Sequence, residues 1–304
     1  MERAYIITGP TSGIGLRTAF ELVQHGTVVL VGRNPQKLAR VQQAIAKKGG
    51  HTVSVVCDLS DVASVKRASA QIVDLGLPVA GLIHNAGIME MRPTRTKQGW
   101  DSSFATNHLG PFVLTEALKP HLADGTNVLF VVSAVEDPER KPAVAAGFRG
   151  GRFLSVKESA QGEWKSGGSD NPGFDAYATS KQLVLAATLA FARETPRLRF
   201  NAIEPGLNPS TGLGGDLGPV VRFIQSFVIP LVVPMLRPFL KILSTPKQAA
   251  RVITKIITDD SGRTGVYYNE RGEPMAGSSL VHDPGFQDLV VAETRTFLSA
   301  IPVK

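Results

Sequence analysis

A tyrosine and a lysine four residues apart, Tyr177 and Lys181, have the types and spacing needed for acid–base chemistry. On a helix they would share one face, one turn apart. An unperturbed phenol, with a pKa of about 10, is a poor acid–base catalyst near neutrality. A neighbouring ammonium favours the phenolate, so we expect Lys181 to lower the pKa of Tyr177. Tyr177 would then donate a proton to a carbonyl oxygen or remove one from an alcohol.

A glycine-rich turn near the start of the chain has the composition of a phosphate-binding loop. It is Thr8-Gly9-Pro10-Thr11-Ser12-Gly13-Ile14-Gly15, and it joins an apolar run to a helical pattern. Gly9 permits a tight turn, Gly13 lets backbone approach a pyrophosphate, and Gly15 lets the helix pack closely. The helix N-terminus offers free N–H groups and a positive dipole end. The predicted dinucleotide-binding residues here are Gly9, Thr11, Ser12, Gly13, Ile14 and Gly15.

The end of the second predicted strand indicates which dinucleotide is bound. NAD enzymes usually place Asp or Glu there to hold the ribose 2′-OH, but this chain has Gly32-Arg33-Asn34. Arg33 can bind a 2′-phosphate through charge-assisted hydrogen bonds. The sequence therefore predicts NADP (NADPH), bound by Arg33 and Asn34. Two alternatives stay open: Arg33 as a surface residue, and Asn34 as the cap of a helix that starts near Pro35.

Polar or small residues also follow the third and fourth predicted strands. Asp58, before Leu59, could accept a hydrogen bond from an adenine amine or could be a turn residue. Small residues after His84 would let backbone pass close to the cofactor. The predicted binding residues at these two points are Asp58, Leu59, Asn85, Ala86 and Gly87.

The elements that must position these residues alternate between short apolar runs and longer helical patterns. The predicted strands are 4–8, 28–31, 53–57, 79–84, 128–133, 200–204 and 265–268, and the predicted helices are 13–25, 35–48, 62–75, about 109–122, 174–194 and 246–258. Strands that are apolar throughout indicate a sheet covered on both faces. The alternation predicts an α/β fold: a doubly wound, mostly parallel, seven-stranded Rossmann sheet with helices on both faces. Ligands of such sheets bind at the carboxyl ends of the strands.

Composition fits a single globular domain over residues 1–304. The net charge of +7 suits a phosphate-bearing ligand, and the chain lacks the basic runs typical of nucleic-acid binding. Cys57 is the only cysteine, no metal-ligand spacing occurs among the six histidines, and no signal peptide is evident. We therefore expect a cytoplasmic protein without a metal site, and a buried, structural Cys57.

These motifs, taken together, resemble the short-chain dehydrogenase/reductase family. The resemblance covers about the first 210 residues and rests on Thr8-Gly9 through Gly15, Asn85-Ala86-Gly87, Asn107, Ser133, Tyr177 with Lys181, and Pro205-Gly206, all in the family's order. It implies that Ser133 hydrogen-bonds the substrate carbonyl and that Tyr177 is the acid/base. It also implies that Lys181 binds the nicotinamide ribose and that Asn107 holds a water that relays protons to Lys181. Pro205, Gly206 and Ser210 would lie against the cofactor.

Three positions depart from the family pattern. His84 stands where many members have Asn, and Glu204 precedes Pro205-Gly206 where an apolar residue is more usual. The Thr expected after Pro-Gly falls at Ser210, with Thr211 one place later. These departures concern the surroundings of the nicotinamide amide.

Two variable regions are expected to shape the substrate site. The insertion 134–176 is far longer than the usual connection of about 4–6 residues, and it resembles insertions in monomeric carbonyl reductases, retinol-dehydrogenase-like enzymes and protochlorophyllide reductases. It could wall the substrate cleft and obstruct the family's usual dimer face, which favours a monomer over a homodimer, or it could be a solvated excursion. The second region, 207–244, contains the apolar stretch 219–243, without charge between Arg222 and Arg237. That stretch could be a lid over the substrate, a peripheral membrane contact, or core or an oligomer contact.

The leading hypothesis is an NADPH-dependent oxidoreductase that reduces a ketone or aldehyde on a bulky hydrophobic substrate. The tail resembles the retinol-dehydrogenase and protochlorophyllide-reductase branch of the family. Two alternatives are an alcohol dehydrogenase that works oxidatively and a non-catalytic NADP-binding sensor. As partners we expect a hydrophobic small-molecule substrate and no nucleic acid.

Overall fold

A computed structural model describes residues 3–206 and 244–301 of the chain. Its strands form one seven-stranded sheet in the order β3-β2-β1-β4-β5-β6-β7, and every pair is parallel. The strands are β1 Ala4–Thr8, β2 Thr27–Gly32, β3 Thr52–Val56, β4 Val79–His84, β5 Asn127–Val131, β6 Arg199–Ile203 and β7 Tyr267–Tyr268. The predicted doubly wound sheet is confirmed, and it is parallel throughout rather than mostly.

Apart from two five-residue helices in the insertion 134–176, which were not predicted, the helices follow the predicted positions with two differences. They are α1 Gly13–Leu22, α2 Pro35–Ala46, α3 Val62–Asp74, α4 Ser102–Phe104, a π-helical turn Ala105–Leu109, α5 Gly110–Leu118, α6 Lys141–Ala145, α7 Val156–Ala160, α8 Pro172–Glu194, α9 Pro246–Ile257 and α10 Pro284–Ser299. The helix expected at about 109–122 begins seven residues earlier, at Ser102. Helix α10 was not predicted, although Asp283 caps it by accepting a 2.9 Å hydrogen bond from the Gly285 N–H.

Alternate side chains of the strands belong to two separate hydrophobic clusters. On β1, Ile6 packs in the cluster that contains side chains of α3, α5, α8 and α10. Tyr5 and Ile7 pack in the cluster formed with α1, α2 and α9. The sheet is thus covered by helices on both faces, which explains why β1 is buried at every position and apolar from Ala4 to Ile7.

The predicted buried thiol lies in the first of these clusters. Cys57 is unpaired and 2% exposed, and burial raises its pKa to about 12. It is therefore an inert core residue, as expected.

Two expectations about the second variable region fall outside the described residues: the lid 207–244, apart from Ser244, and the stretch 219–243 within it. Ser210 lies in the same part of the chain. Within residues 3–206 and 244–301, no helix is long and apolar enough to cross a bilayer.

Candidate active site

The glycine-rich turn between β1 and α1 packs directly against the turn that follows β4. Gly9 has a φ of +68°, and a Cβ there would lie 2.9 Å from Ala86 Cα. A Cβ on Gly15 would lie 2.3 Å from both Gly9 O and Asn85 Nδ2. Close approach to the Asn85-Ala86 turn therefore requires glycine at both positions. Close packing was predicted for Gly15, whereas Gly9 was predicted only to permit a tight turn.

Thr8 joins the same two turns through hydrogen bonds. Its hydroxyl accepts from the N–H groups of Asn85 and Ala86, each at 3.0 Å. Asn85 Nδ2 donates to the carbonyl oxygens of Thr8 at 2.9 Å and Gly9 at 3.2 Å. Asn85 thus fixes the glycine-rich turn through its side chain. The role of Thr8 was missed because a threonine at the end of an apolar strand carries no signal of its own.

The start of α1 fits a dinucleotide phosphate. Gly13, the first helical residue, has a φ of +55°. The N-cap residue Ser12 makes no side-chain capping bond, so the first-turn N–H groups are not satisfied by that hydroxyl and can point at an anion. The sequence-predicted residues from Gly9 to Gly15 therefore come together in one cradle at the carboxyl end of β1.

Four other predicted cofactor residues follow the ends of β2 and β3. Arg33 is exposed directly after β2. Asn34 caps α2 by accepting a 2.9 Å hydrogen bond from the Lys37 N–H, as one alternative proposed. Asp58 Oδ1 accepts from the Ser60 N–H and hydroxyl at 3.0 and 2.7 Å, which is the geometry of a turn residue. Leu59 is buried against Gly110, where a Cβ would lie 2.2 Å from the Leu59 carbonyl oxygen.

Tyr177 and Lys181 lie one turn apart on α8, and both are buried. The Lys181 ammonium is 5.6 Å from the centre of the Tyr177 ring and donates a 2.9 Å hydrogen bond to the Val131 carbonyl oxygen. Tyr177 is hydrogen-bonded to the Ser133 side chain. Ser133 follows the end of β5, so helix and sheet bring the three predicted catalytic side chains to one point.

The prediction that Lys181 lowers the pKa of Tyr177 is wrong for the chain without a bound cofactor. Burial raises the pKa of Tyr177, the Glu204 carboxylate raises it further, and the hydrogen bond with Ser133 offsets only part of this. The Lys181 ammonium is directed at a backbone carbonyl instead of the phenol. Burial also lowers the pKa of Lys181 to about 8. Tyr177 is therefore protonated near neutrality.

Asn107 lies in the π-helical turn before α5, next to Lys181. Its Oδ1 accepts from the Ile88 N–H at 2.8 Å, and its Nδ2 donates to Ile88 O at 2.8 Å and Ser180 Oγ at 2.9 Å. A Cβ on Gly87 would lie 3.3 Å from Asn107 Oδ1 and 3.4 Å from Lys181 Nζ. Gly87 thus leaves open the space where these two side chains converge, and the water-holding role of Asn107 remains a prediction.

This geometry agrees with a family match over roughly the first half of the chain. Residues 3–143 match the family model described as short chain dehydrogenase. The chain belongs to the short-chain dehydrogenase/reductase family. It is thus a member of an oxidoreductase family that uses a nicotinamide dinucleotide, and the predicted family is confirmed.

Individual relatives of this short-chain dehydrogenase/reductase support the assignment over different lengths. It is 26% identical over 281 residues to protochlorophyllide reductase B of Oryza sativa, covering 87% of this chain and 68% of that protein, which supports the predicted branch. It is 32% identical over 120 residues to human polyprenol dehydrogenase, covering 38% of this chain and 36% of that protein. The matches with three other curated relatives span 38%, 65% and 62% of their lengths.

A solved structure is similar over almost the whole chain. The crystal structure of an uncharacterised protein from Mycobacterium paratuberculosis has a TM-score of 0.69 and 25% sequence identity. The similarity covers 99% of this chain and 96% of that one.

Two of the departures from the family pattern have different environments in this short-chain dehydrogenase/reductase. His84 is a core residue: its ring stacks on Phe130 at 4.4 Å, and its Nε2 is 2.8 Å from Thr115 Oγ1. Burial lowers the pKa of His84 to about 3, so the ring is neutral. Glu204, in contrast, is buried among the predicted catalytic groups, where its carboxylate accepts hydrogen bonds from the N–H groups of Ala134 and Gly206.

A second buried carboxylate, Glu136, connects the start of the insertion to the C-terminal part of the chain. It accepts hydrogen bonds from the Ser278 N–H at 2.9 Å and the Ser278 hydroxyl at 2.6 Å. Burial raises the pKa of Glu136 to about 7. The Tyr267 hydroxyl and Arg140 Nε are buried without hydrogen-bond partners among the described residues. Sequence reasoning did not identify these groups, because their sequence neighbourhoods contain no motif.

The insertion 134–176 supplies an apolar wall beside Tyr177. Phe148 stacks on Phe174 with ring centres 4.2 Å apart and lies 6.5 Å from the Tyr177 ring. Met89 and Val135 pack against the same cluster. The Arg152 N–H donates a 2.8 Å hydrogen bond to Thr179 Oγ1 of α8. These contacts favour a wall of the cleft over a solvated excursion.

Proposed function

We propose that this chain is an NADPH-dependent reductase of a ketone or aldehyde on a bulky hydrophobic substrate, with Tyr177 as the proton donor. The observation that carries the proposal is the buried, hydrogen-bonded pair of Tyr177 and Ser133. Because burial raises the pKa of Tyr177, the phenol keeps its proton near neutrality. A protonated phenol suits reduction, since the carbonyl oxygen must gain a proton as hydride reaches the carbon.

Each side chain of the cluster has a separate task in this proposal. The nicotinamide, when bound, supplies the hydride. The Ser133 hydroxyl donates a hydrogen bond to the substrate oxygen and steadies its developing negative charge. Tyr177 passes its hydroxyl proton to that oxygen, and the Lys181 ammonium, 5.6 Å from the ring centre, stabilises the phenolate that remains.

The choice of NADPH rests on Arg33 and on the cradle at the start of α1. Arg33 is exposed at the end of β2, where its guanidinium is free to bind a 2′-phosphate. The uncapped first turn after Ser12 can receive the pyrophosphate. The space beside Gly87, next to Lys181 Nζ, can receive the ribose that the family resemblance assigns to Lys181.

The preference for a bulky hydrophobic substrate is supported by the wall next to Tyr177. The stacked Phe148 and Phe174 rings, with Met89 and Val135, offer apolar surface rather than charge to a substrate in contact with Tyr177. Two relatives are named for protochlorophyllide and for polyprenol. A substrate of comparable hydrophobicity would match this wall.

A carbonyl panel tests the proposal. The purified protein is incubated with NADPH and a series of ketones and aldehydes that range from small and polar to polycyclic, and NADPH absorbance is followed. We expect turnover that increases with the apolar bulk of the substrate. Turnover only with alcohols and NADP would indicate the oxidative alternative, and NADPH binding without turnover in either direction would indicate a sensor; either result contradicts the proposal.

We further propose that the protein is a monomer in solution. Helix α8 is buried at every position from Asp175 to Phe191, and α10 and α7 of the same chain pack against it. A helix covered in this way has no free face for a second copy. Light scattering after size-exclusion chromatography should give about the chain mass of 32.4 kDa, and a stable mass of twice that value would refute the monomer.

A further inference from the structure

The carboxylate of Glu204 joins two turns of the active site. Glu204 directly follows β6 and is 6% exposed. Its Oε2 accepts a short hydrogen bond from the Ala134 N–H, and its Oε1 accepts one of 2.9 Å from the Gly206 N–H. Its own N–H donates to the Tyr268 carbonyl oxygen at 2.8 Å. The residue is thus fixed from both backbone and side chain.

The two turns that Glu204 joins carry functional residues. Ala134 is the neighbour of Ser133, and Gly206 ends the Pro205-Gly206 pair that follows β6. Ladder pairing between β5 and β6 ends at Val131 with Ile203. One further backbone bond, from the Val132 N–H to Ile203 O at 2.9 Å, follows it. Beyond that point the carboxylate, rather than the sheet, connects the two chain segments.

Burying a carboxylate at this point is costly unless its charge is compensated. Burial raises the pKa of Glu204, and the two N–H donors and two cations, Arg140 of the insertion and Lys181 of α8, offset part of this by favouring the charged form. Among the described residues, the other ionisable groups here are two phenols and one carboxyl: Tyr177 and Tyr267 both interact with Glu204, and Glu136 interacts with Tyr267. An apolar side chain would avoid the cost of burial but could make none of these contacts.

We propose that Glu204 is a positioning residue of this active site, whose carboxylate fixes the Ser133 turn against the Pro205-Gly206 turn and balances the Lys181 ammonium beside Tyr177. The catalytic consequence rests on the proposed reductase function, whereas the connection between the turns does not. Glu204 does not itself exchange a proton with the substrate.

Removal of the charge has a predictable effect on pH dependence. Glu204 raises the pKa of Lys181 and the pKa of Tyr177. Without it, both the ammonium and the phenol proton are lost at lower pH. Carbonyl reduction needs both groups protonated, so the alkaline limb of the kcat profile moves to lower pH.

Two variants and a matched control test the proposal. Glu204→Gln keeps the shape and removes the charge, while Glu204→Val removes both acceptors. The control is Glu293→Gln: Glu293 also accepts a backbone hydrogen bond, 2.8 Å from the Val156 N–H, but lies on α10. Amide exchange at Ala134 and Gly206 is measured by NMR, and kcat and KM are measured against pH.

We expect amide exchange at Ala134 and Gly206 to accelerate at least about tenfold in Glu204→Val, because a hydrogen bond to a charged group is lost. We expect Glu204→Gln to lower kcat more than it changes KM and to move the alkaline limb down by about one pH unit. Glu293→Gln should change neither the profile nor exchange at Ala134 and Gly206. If Glu204→Val does not fold, amide exchange is measured on Glu204→Gln instead. This variant leaves one of the two N–H groups without its acceptor, so exchange at that amide shows whether Glu204 connects the turns.

Unchanged exchange at both amides would overturn the connection between the turns. A general loss of stability with an unshifted pH profile would overturn the positioning role and leave a purely structural one. If the wild-type protein turns over no carbonyl compound, the proposed reductase function fails, and the exchange measurement still decides whether Glu204 holds the two turns together.

Discussion

Lys181 Nζ donates a 2.9 Å hydrogen bond to the carbonyl oxygen of Val131, the last residue of β5. The bond ties α8 to the strand end from which Ser133 emerges, two residues later. The sheet and α8 are therefore connected by the same ammonium that lies beside the Tyr177 ring.

The charge of this ammonium predicts how carbonyl reduction depends on pH. Burial lowers the pKa of Lys181 to about 8, so the ammonium is present below that pH and is lost as pH rises through it. We expect kcat for reduction to be flat near neutrality and to fall above about pH 8. Lys181→Met should be slow throughout and lack this limb. A wild-type profile that remains flat well above pH 8 would contradict the role of Lys181.

Replacement of Gly9 by alanine, compared with the same change at Gly49, should distinguish the effect of close packing from the effect of backbone strain. A Cβ at Gly9 would lie 2.9 Å from Ala86 Cα, whereas nothing lies within 4 Å of one at Gly49. Both glycines have positive φ, +68° and +80°, so both alanine variants bear a similar backbone cost of about 1 kcal/mol. We expect Gly9→Ala to lower the melting temperature further and to weaken NADPH binding at least tenfold. Equal behaviour of the two variants would show that the turns can move apart.

Arg33 should distinguish NADPH from NADH. Its exposed guanidinium follows β2, in a position suited to a 2′-phosphate. Loss of a charge-assisted contact costs about 1.5–3 kcal/mol, so Arg33→Ala should weaken NADPH binding by roughly ten- to a hundredfold and leave NADH binding almost unchanged. Fluorescence titration with both dinucleotides measures the ratio, and equal losses would remove the assignment of Arg33 to the phosphate.

The order of elements could be predicted well from the sequence, because buried parallel strands are apolar at every position. The predicted bounds of β1 and β4 are those observed. Helix α10 was missed, since its helical pattern follows an irregular stretch and no strand comes after it. The start of the helix around Asn107 was also misplaced, because Ser102–Phe104 and the π-helical turn break the regular 3.6-residue periodicity.

That Ser133, Tyr177 and Lys181 come together could be predicted, because their motifs are local or occur in a known order. The electrostatics could not. The prediction for the Tyr177 pKa considered the charge of Lys181, four residues away, and omitted burial and Glu204, which follows β6 and is distant in sequence. Contacts between distant segments, such as those of Thr8 with Asn85 and Glu136 with Ser278, likewise have no signal in local sequence.

Phe148 should affect bulky substrates more than small ones. Its ring stacks on Phe174 and lies 6.5 Å from Tyr177. We expect Phe148→Leu to raise KM several-fold for a polycyclic ketone and to change KM for a small aldehyde little. Phe153→Leu is the control, because Phe153 packs on Phe286 at 5.3 Å, away from this cluster. A similar effect of both variants, or none of Phe148→Leu on the bulky ketone, would argue against the wall.

The most direct test of the account is the Tyr177→Phe variant, which removes the hydroxyl and keeps the buried ring. Turnover of a carbonyl substrate that the wild type reduces is measured together with NADPH binding and the melting temperature. If Tyr177 is the proton donor, kcat falls by about 10²–10⁴-fold, while NADPH binding and thermal stability stay close to wild type. A Tyr177→Phe protein that reduces the same substrate within a few-fold of the wild-type rate would show that the proton comes from another group.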